Sequence, residues 1–81
     1  MSEEAIIPDE RLDVKGLACP MPIVKLAQTI KKMDIGQIVE VLATDPGTVP
    51  DIAAWSKQTG NEVLKHEKEG KVLKFYVKRR K

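Results

Sequence analysis

Two prolines, Pro20 and Pro22, fix the place where the first helix of this chain can begin. Proline suits the first turn of a helix, because the N–H groups there have no partner within the helix and the ring already holds φ near its helical value. Farther along a helix the same residue would break it. The chain must therefore enter a helix within this stretch. The residue directly before it is Cys19, the only cysteine among 81 residues.

The thiol of Cys19 has two interpretations. A cysteine at the start of a helix faces the positive end of the helix dipole, which favours the thiolate and makes Cys19 a candidate nucleophile. Because Pro20 and Pro22 lack an N–H group, the Met21 N–H is predicted to be the donor left for the sulfur. Free cysteines are, however, often buried as small hydrophobic residues. The position of Cys19 before a helix, where the surface usually opens, gives the reactive interpretation equal weight.

The hydrophobic pattern on either side of this stretch predicts six elements. Apolar residues alternate in the first segment, recur every three or four positions in the two helical segments, and form a nearly continuous run between the helices. The predicted strands are residues 11–15, 38–43, 62–67 and 72–78, and the predicted helices run from Pro20 to about Met33 and from about Thr48 to Thr59. Residues 44–47 and 68–71 have the composition of turns.

The order β-α-β-α-β-β predicts an α/β (α+β) two-layer sandwich, in which two helices pack on one face of a four-stranded mixed sheet. A chain of this length forms one domain. Residues 1–10 are polar and acidic and contain Pro8, so they are predicted to be a flexible acidic N-terminal tail. Residues 11–81 are then the single folded domain.

Several classes of site are not expected. One cysteine excludes an internal disulfide, a resolving thiol and a multi-cysteine zinc site. The sequence has no Gly-rich phosphate loop, no paired catalytic carboxylates and no metal-ligand spacing, so we expect neither a cofactor nor a metal. It also has no apolar run of membrane length and no signal peptide, which predicts a cytoplasmic protein without membrane insertion. A lone thiol stays reduced in that compartment.

The formal net charge of +2 conceals an asymmetry. The first ten residues hold four acidic and no basic residues, so the rest of the chain holds 14 basic and eight acidic residues. Such a body favours acidic protein partners or nucleic acid, although solvated helix and strand faces account for most lysines. With only three aromatic residues for base stacking, direct nucleic-acid binding is not expected. A small RNA-binding or regulatory α/β module is the alternative function, and a thiol redox protein is the third.

Several short motifs occur together, the first three of them in the frame L-D-x-x-G-L-x-C-P-x-P. They are Leu12-Asp13, Gly16-Leu17, Cys19-Pro20-Met21-Pro22, Asp45-Pro46 and Asp51-Ile52. In this combination the chain resembles the TusA (SirA-like) sulfur-carrier family, from about Leu12 to the last predicted strand. The resemblance implies that Cys19 is the catalytic residue and bears sulfur as a persulfide. It also implies a supporting motif, formed by Pro20, Met21, Pro22 and the acidic residue Asp45 in the loop after the second strand.

The resemblance further implies protein partners. A sulfur-donor protein, such as a cysteine desulfurase or rhodanese, would load Cys19, and an acceptor protein of the sulfur relay would receive the sulfur. That role is a carrier rather than a stand-alone enzyme. Met21 and Pro50 stand where members that serve tRNA thiolation often have Glu and Arg, and Ser56 stands where many relatives have a second Cys. The pathway is therefore open between tRNA thiolation, sulfur oxidation, molybdenum-cofactor sulfuration and selenium metabolism.

The single histidine, His66, lies in a predicted strand well after both helices. One interpretation has it polarise a thiol that the fold brings near. The other, which we favour, is an exposed strand residue without a catalytic role.

Overall fold

The computed structural model describes residues 7–18 and 21–81, so Cys19, Pro20 and residues 1–6 lie outside the described part of the chain. It contains four strands and two helices in the predicted order β-α-β-α-β-β, which is thereby confirmed. The elements are β1 Glu10–Asp13, α1 Met21–Lys31, β2 Ile38–Ala43, α2 Thr48–Thr59, β3 Glu62–Glu69 and β4 Val72–Lys78.

The four strands form one mixed sheet in the order β1-β2-β4-β3. β1 runs parallel to β2, whereas β4 is antiparallel to both of its neighbours. Asp13 pairs with Leu42 at the end of the parallel ladder, and Ala43 pairs with Leu73 at the start of β4. One edge therefore holds the carboxyl ends of β1 and β2 together with the β3–β4 turn. We call it the carboxyl edge.

The hydrophobic core lies between the sheet and the two helices, as the amphipathic pattern predicts. Alternate residues of β2 and β4 point into it, and α1 and α2 each contribute one face. Met33 and Trp55 belong to the core. The core residues are Val14, Leu26, Ile30, Met33, Val39, Val41, Ala43, Ile52, Trp55, Leu73, Phe75 and Val77.

The ends of three elements differ from the predicted ends. β1 begins at Glu10, and Asp9 is already bound to β2, because its N–H donates to the Ile38 carbonyl oxygen (2.7 Å) and its Oδ2 accepts from the Ile38 N–H (2.9 Å). Hydrogen bonding to β2 thus begins at Asp9, before the predicted start of the strand at residue 11. β3 extends to Glu69, because the hairpin ladder continues through charged side chains up to Gly70, which has a φ of +60°. Helix α1 ends at Lys31 and continues as a tighter turn.

The second face of the sheet, which we call the open face, is polar. Glu40 lies at its centre on β2 and is only 6% exposed. Its carboxylate contacts the Arg11 Nε (3.0 Å) on β1 and the Lys74 Nζ (3.6 Å) on β4. A nearly buried carboxylate is tolerated only with such partners, since its charge would otherwise be costly to remove from water. Ion pairs of Glu40 therefore join three strands on the open face.

The guanidinium of Arg79 closes the far end of helix α1. Its Nη1 donates to the Ile30 carbonyl oxygen (3.1 Å) and to the Met33 carbonyl oxygen. The last carbonyl groups of a helix have no partner within it, so a cation placed there supplies the missing hydrogen bonds and also suits the helix dipole. The contact joins residues 49 and 46 positions apart, and it fixes α1 to the end of β4.

Replacing Arg79 with methionine is expected to lower the free energy of unfolding by about 2 kcal/mol, because it leaves helix carbonyl groups without their charged donor. Urea unfolding followed by the fluorescence of Trp55 measures the change. Arg80→Met is the matched control. Arg80 pairs only at the surface with Glu62 (2.7 Å), so its loss should cost less than about 1 kcal/mol. Equal losses in the two variants would contradict a capping role for Arg79.

Candidate functional site

The loop that follows β1 and the loop that follows β2 meet at the carboxyl edge. The Gly16 N–H donates to the Thr44 Oγ1 at 2.9 Å, across 28 positions of sequence. Gly16 has a φ of +84°, which a residue with a side chain rarely adopts. The first loop precedes α1 and the second precedes α2. The loops that lead into α1 and α2 are therefore joined by a hydrogen bond to the Thr44 hydroxyl group.

The first loop, residues 14–18, is fixed to the sheet along its length. The Val14 N–H extends the parallel ladder by donating to the Leu42 carbonyl oxygen (2.8 Å), and the Val14 side chain is buried. The Lys15 N–H donates to the Asp13 Oδ1 (3.0 Å), and the Leu17 N–H donates to the Val14 carbonyl oxygen (3.2 Å). The path of the backbone toward Ala18 is thus set by the end of β1.

The start of α1 corrects one prediction about the sulfur environment. The Met21 N–H donates to the Ala18 carbonyl oxygen at 2.9 Å, so it is not the donor left for a sulfur atom. Pro22 is buried and Met21 is 42% exposed. Cys19 and Pro20 lie outside the described residues, and their predicted roles remain predictions. What the structure describes is the two flanks of the motif, and the Ala18–Met21 bond ties these flanks together.

The second loop, residues 44–47, is shaped by Asp45. Its Oδ1 accepts from the Gly47 N–H (3.1 Å), and its carbonyl oxygen accepts from the Thr48 N–H (2.9 Å). A side chain that accepts a bond from the backbone two residues on is typical of aspartate in turns. Asp45 thereby starts α2 at the same edge at which α1 starts. The positive ends of both helix dipoles face this edge.

The hydroxyl of Thr48 differs from that of Thr44. Thr48 is fully buried at the first position of α2, and its Oγ1 has no hydrogen-bond partner in the part of the chain that is described. A buried hydroxyl without a partner lowers stability, because it has given up its bonds to water. Threonine therefore stabilises the fold at position 44, where its hydroxyl accepts a hydrogen bond, and lowers stability at position 48, where the hydroxyl has no described partner.

The fold separates His66 from the loop that precedes α1. β3 lies at one side of the sheet and β1 at the other, with β2 and β4 between them. The His66 ring is exposed and stacks on the Phe75 ring, with centroids 4.6 Å apart and an angle of 8° between the planes. The favoured interpretation, an exposed strand histidine, is confirmed. Sequence reasoning had no signal for Thr44 as the acceptor from Gly16, because it marked Thr44 only as a turn residue.

Lys65 and Glu67 form an ion pair away from the carboxyl edge. Lys65 donates a hydrogen bond to Glu67 (3.0 Å), and this bond together with its positive charge lowers the pKa of the Glu67 carboxyl group. Both side chains lie on the open face, so the shift reports a surface ion pair. Residues 7–18 and 21–81 contain no group of three His, Cys, Asp or Glu side chains that could hold a metal ion. Neither described helix is long and apolar enough to cross a membrane.

Valine substitutions at the two threonines should change stability in opposite directions. Thr44→Val removes the acceptor of the Gly16 N–H and is expected to lower the free energy of unfolding by about 1 kcal/mol. Thr48→Val removes an unpartnered hydroxyl at nearly constant shape and is expected to raise it by up to about 1 kcal/mol. Urea unfolding gives both values, and hydrogen exchange of the Gly16 amide should accelerate in Thr44→Val alone. A Thr48→Val variant as unstable as Thr44→Val would show that the Thr48 hydroxyl is bonded.

Comparison with known proteins gives one family match, two similar relatives and one similar structure. Residues 10–79 match the family model described as "Sulfurtransferase TusA". The sulfur carrier protein TusA of Allochromatium vinosum is 45% identical over 71 residues, which are 88% of this chain and 93% of that protein. YrkI of Bacillus subtilis is 48% identical over 71 residues, 88% of this chain and 95% of that protein. The crystal structure of a SirA-like protein from Desulfitobacterium hafniense has a TM-score of 0.75, covering 89% of this chain and 99% of that chain at 18% identity, which bears on the fold alone.

Proposed function

The chain belongs to the TusA sulfurtransferase family, and from this membership we propose that it carries sulfane sulfur as a persulfide on Cys19. The observation that carries the proposal is the family match over residues 10–79, which spans the only cysteine. The identity to the sulfur carrier protein of Allochromatium vinosum extends over nearly the same length and supports the same role.

Loading of the carrier is a thiol–disulfide type of exchange. The Cys19 thiol releases its proton to solvent, and the thiolate attacks the terminal sulfur of a persulfide on the donor protein. A new S–S bond forms at Cys19, the S–S bond of the donor breaks, and the donor cysteine leaves as a thiolate. No external oxidant or reductant is needed, because the sulfane sulfur keeps its oxidation state.

Unloading repeats the exchange in the other direction. A thiolate of the acceptor protein attacks the terminal sulfur on Cys19, and Cys19 leaves as a thiolate. Because the sequence has no second cysteine, the persulfide has no thiol in its own chain that would close a disulfide and expel the sulfur. A chain with one cysteine therefore suits transfer between proteins.

The described flanks of Cys19 suit this chemistry in two ways. The Gly16–Thr44 and Ala18–Met21 hydrogen bonds hold both sides of the motif, which limits the backbone freedom that docking with a partner would have to freeze. Two helix dipoles with their positive ends at this edge favour a negative charge there. Asp45 carries the opposite charge, and we assign it the shaping of the turn before α2, where its Oδ1 accepts from Gly47.

The proposal implies two kinds of partner. A cysteine desulfurase or a rhodanese supplies the sulfur in the cytoplasm, and an acceptor of the sulfur relay takes it. A body with more basic than acidic residues favours acidic docking surfaces on both. Such association weakens with rising salt.

Intact mass spectrometry tests the proposal directly. Incubation with a cysteine desulfurase and cysteine is expected to add the mass of one sulfur atom, and a reductant should remove it, because a persulfide is a reducible S–S bond. Cys19→Ser is the matched control, since it changes one atom of the side chain and should gain nothing.

Two results would contradict the proposal. One is a protein that gains no sulfur from the desulfurase and none from a rhodanese supplied with thiosulfate. The other is an equal gain in Cys19→Ser, which would place the sulfur on another group. RNA binding that persists without any sulfur loading would favour the alternative function instead.

A further inference from the structure

Helix α2 and strand β3 enclose an open groove. β3 is the outer strand of the sheet and has no fully buried residue, so the helix layer does not cover it. Two adjoining cavities, of about 480 and 410 Å³, run along this boundary and share Val49 and His66 as lining residues. We call this feature the α2–β3 groove and define it by Pro46, Val49, Ala53, His66, Leu73 and Phe75.

The floor of the α2–β3 groove is apolar and well supported. Leu73 and Phe75 belong to the core and are 5% and 2% exposed, and Val49 packs against the core from α2. The His66 ring stacks on the Phe75 ring. A floor backed by the core provides a preformed surface for an apolar side chain.

The rim of the groove is cationic. Lys68 and Lys71 line the larger cavity near the β3–β4 turn, and Lys57 lines the smaller one on α2. Within the described residues, none of these three lysines has an ion pair. The acidic residue that lines the groove, Glu62, is already paired with Arg80 at 2.7 Å. The groove therefore presents positive charge that the described side chains leave uncompensated.

On the open face, unlike the rim of the groove, two lysines are in ion pairs. There Lys65 pairs with Glu67 at 3.0 Å, and Lys74 pairs with Glu40 at 3.6 Å. Lys65 and Lys74 thus each have a carboxylate partner on that face. The three lysines on the rim have no carboxylate partner in an ion pair within the described residues. A bound molecule with carboxylates would supply such partners.

Addition of a partner strand to β3 is not favoured. The ladder between β3 and β4 has an irregularity between Val63 and Lys65, and charged side chains dominate β3. Both features discourage edge-to-edge pairing. A partner segment would therefore bind through side chains placed in the groove rather than add a strand to the sheet.

We infer that the α2–β3 groove binds a short segment of a partner protein that carries an apolar side chain flanked by carboxylates. The apolar side chain lies between Val49 and His66 above Leu73, and the carboxylates face Lys68 and Lys71. A nucleic acid would satisfy the lysines through its phosphates but would leave the apolar floor with little beyond one imidazole ring for stacking. The groove reaches Thr44 and Pro46, so the bound segment lies beside the turn that starts α2. This goes beyond the proposed function and does not depend on the chemistry of Cys19.

NMR titration of the ¹⁵N-labelled full chain tests the inference. The probe is an acetylated and amidated hexapeptide of alternating glutamate and leucine. Saturable shifts are expected at the backbone amides of residues 47–49 and 66–71, and binding should weaken as salt rises. Peptides with glutamine for glutamate, or with serine for leucine, are each expected to bind at least about fivefold more weakly, because one loses the ion pairs and the other the apolar contact.

A pair of charge variants locates the binding. Lys68→Glu/Lys71→Glu is expected to weaken peptide binding about tenfold or more, since both side chains are exposed and face the carboxylates. Lys25→Glu/Lys32→Glu makes the same change in net charge at exposed positions of α1 and of the turn that follows it, and should weaken binding less than about threefold. Both pairs lie at the surface, so the fold is expected to be preserved, and thermal unfolding verifies this.

Three outcomes would overturn the inference. Equal weakening in the two double variants would mean that net charge alone attracts the peptide. Shifts centred on α1 or on the open face would place the binding elsewhere. A single-stranded RNA that displaces the peptide at lower concentration and equal salt would assign the groove to nucleic acid. Cys19→Ala is expected to bind the peptide normally, so a failure of sulfur loading and a failure of groove binding are separate results.

Discussion

The parallel pairing of β1 with β2 is the constraint on which the rest of the structure depends. Two parallel strands cannot be joined by a tight turn, so the chain must cross over the sheet, and α1 is that crossover. The same pairing places the ends of both strands, and hence the starts of both helices, at one edge. Gly16 and Thr44 meet there because of this topology, although 28 positions separate them. The location of the site is thus a consequence of strand direction.

Local patterns predicted much of this fold. Two prolines located the start of α1, and the change from a twofold to a helical period separated strands from helices. The features that sequence reasoning missed depend on distant partners. Arg79 contacts Ile30 and Met33 through space, and nothing in the C-terminal run of basic residues marks one arginine as a helix cap. The ladder from Lys68 to Glu69 was likewise hidden, because charged residues before a glycine resemble a turn.

The prediction that the Met21 N–H is left to bond the sulfur was wrong, because it left out the chain that precedes the helix. A count of free donors at a helix start considers only the helix, whereas the chain just before it also offers acceptors. The Ala18 carbonyl oxygen lies within 2.9 Å and takes the bond. The environment of the motif is therefore set by the approach of the chain as well as by the prolines. The surrounding chain likewise decides that the Thr44 hydroxyl is hydrogen-bonded and the Thr48 hydroxyl is not, a difference that residue propensities do not reveal.

The position of β4 has a consequence for biosynthesis. It is the last of the described strands in sequence order, yet it lies between β2 and β3 in the sheet, and the residue that follows it caps the first helix. A ribosome-bound chain that lacks residues 72–79 therefore has no second partner for β2, no partner for β3 and no cap for α1. The contacts of the native fold mostly join residues that are distant in sequence, a property associated with slow folding. The sheet can therefore be completed only after residues 72–79 have been synthesised, and until then the edge of β2 that pairs with β4 is exposed.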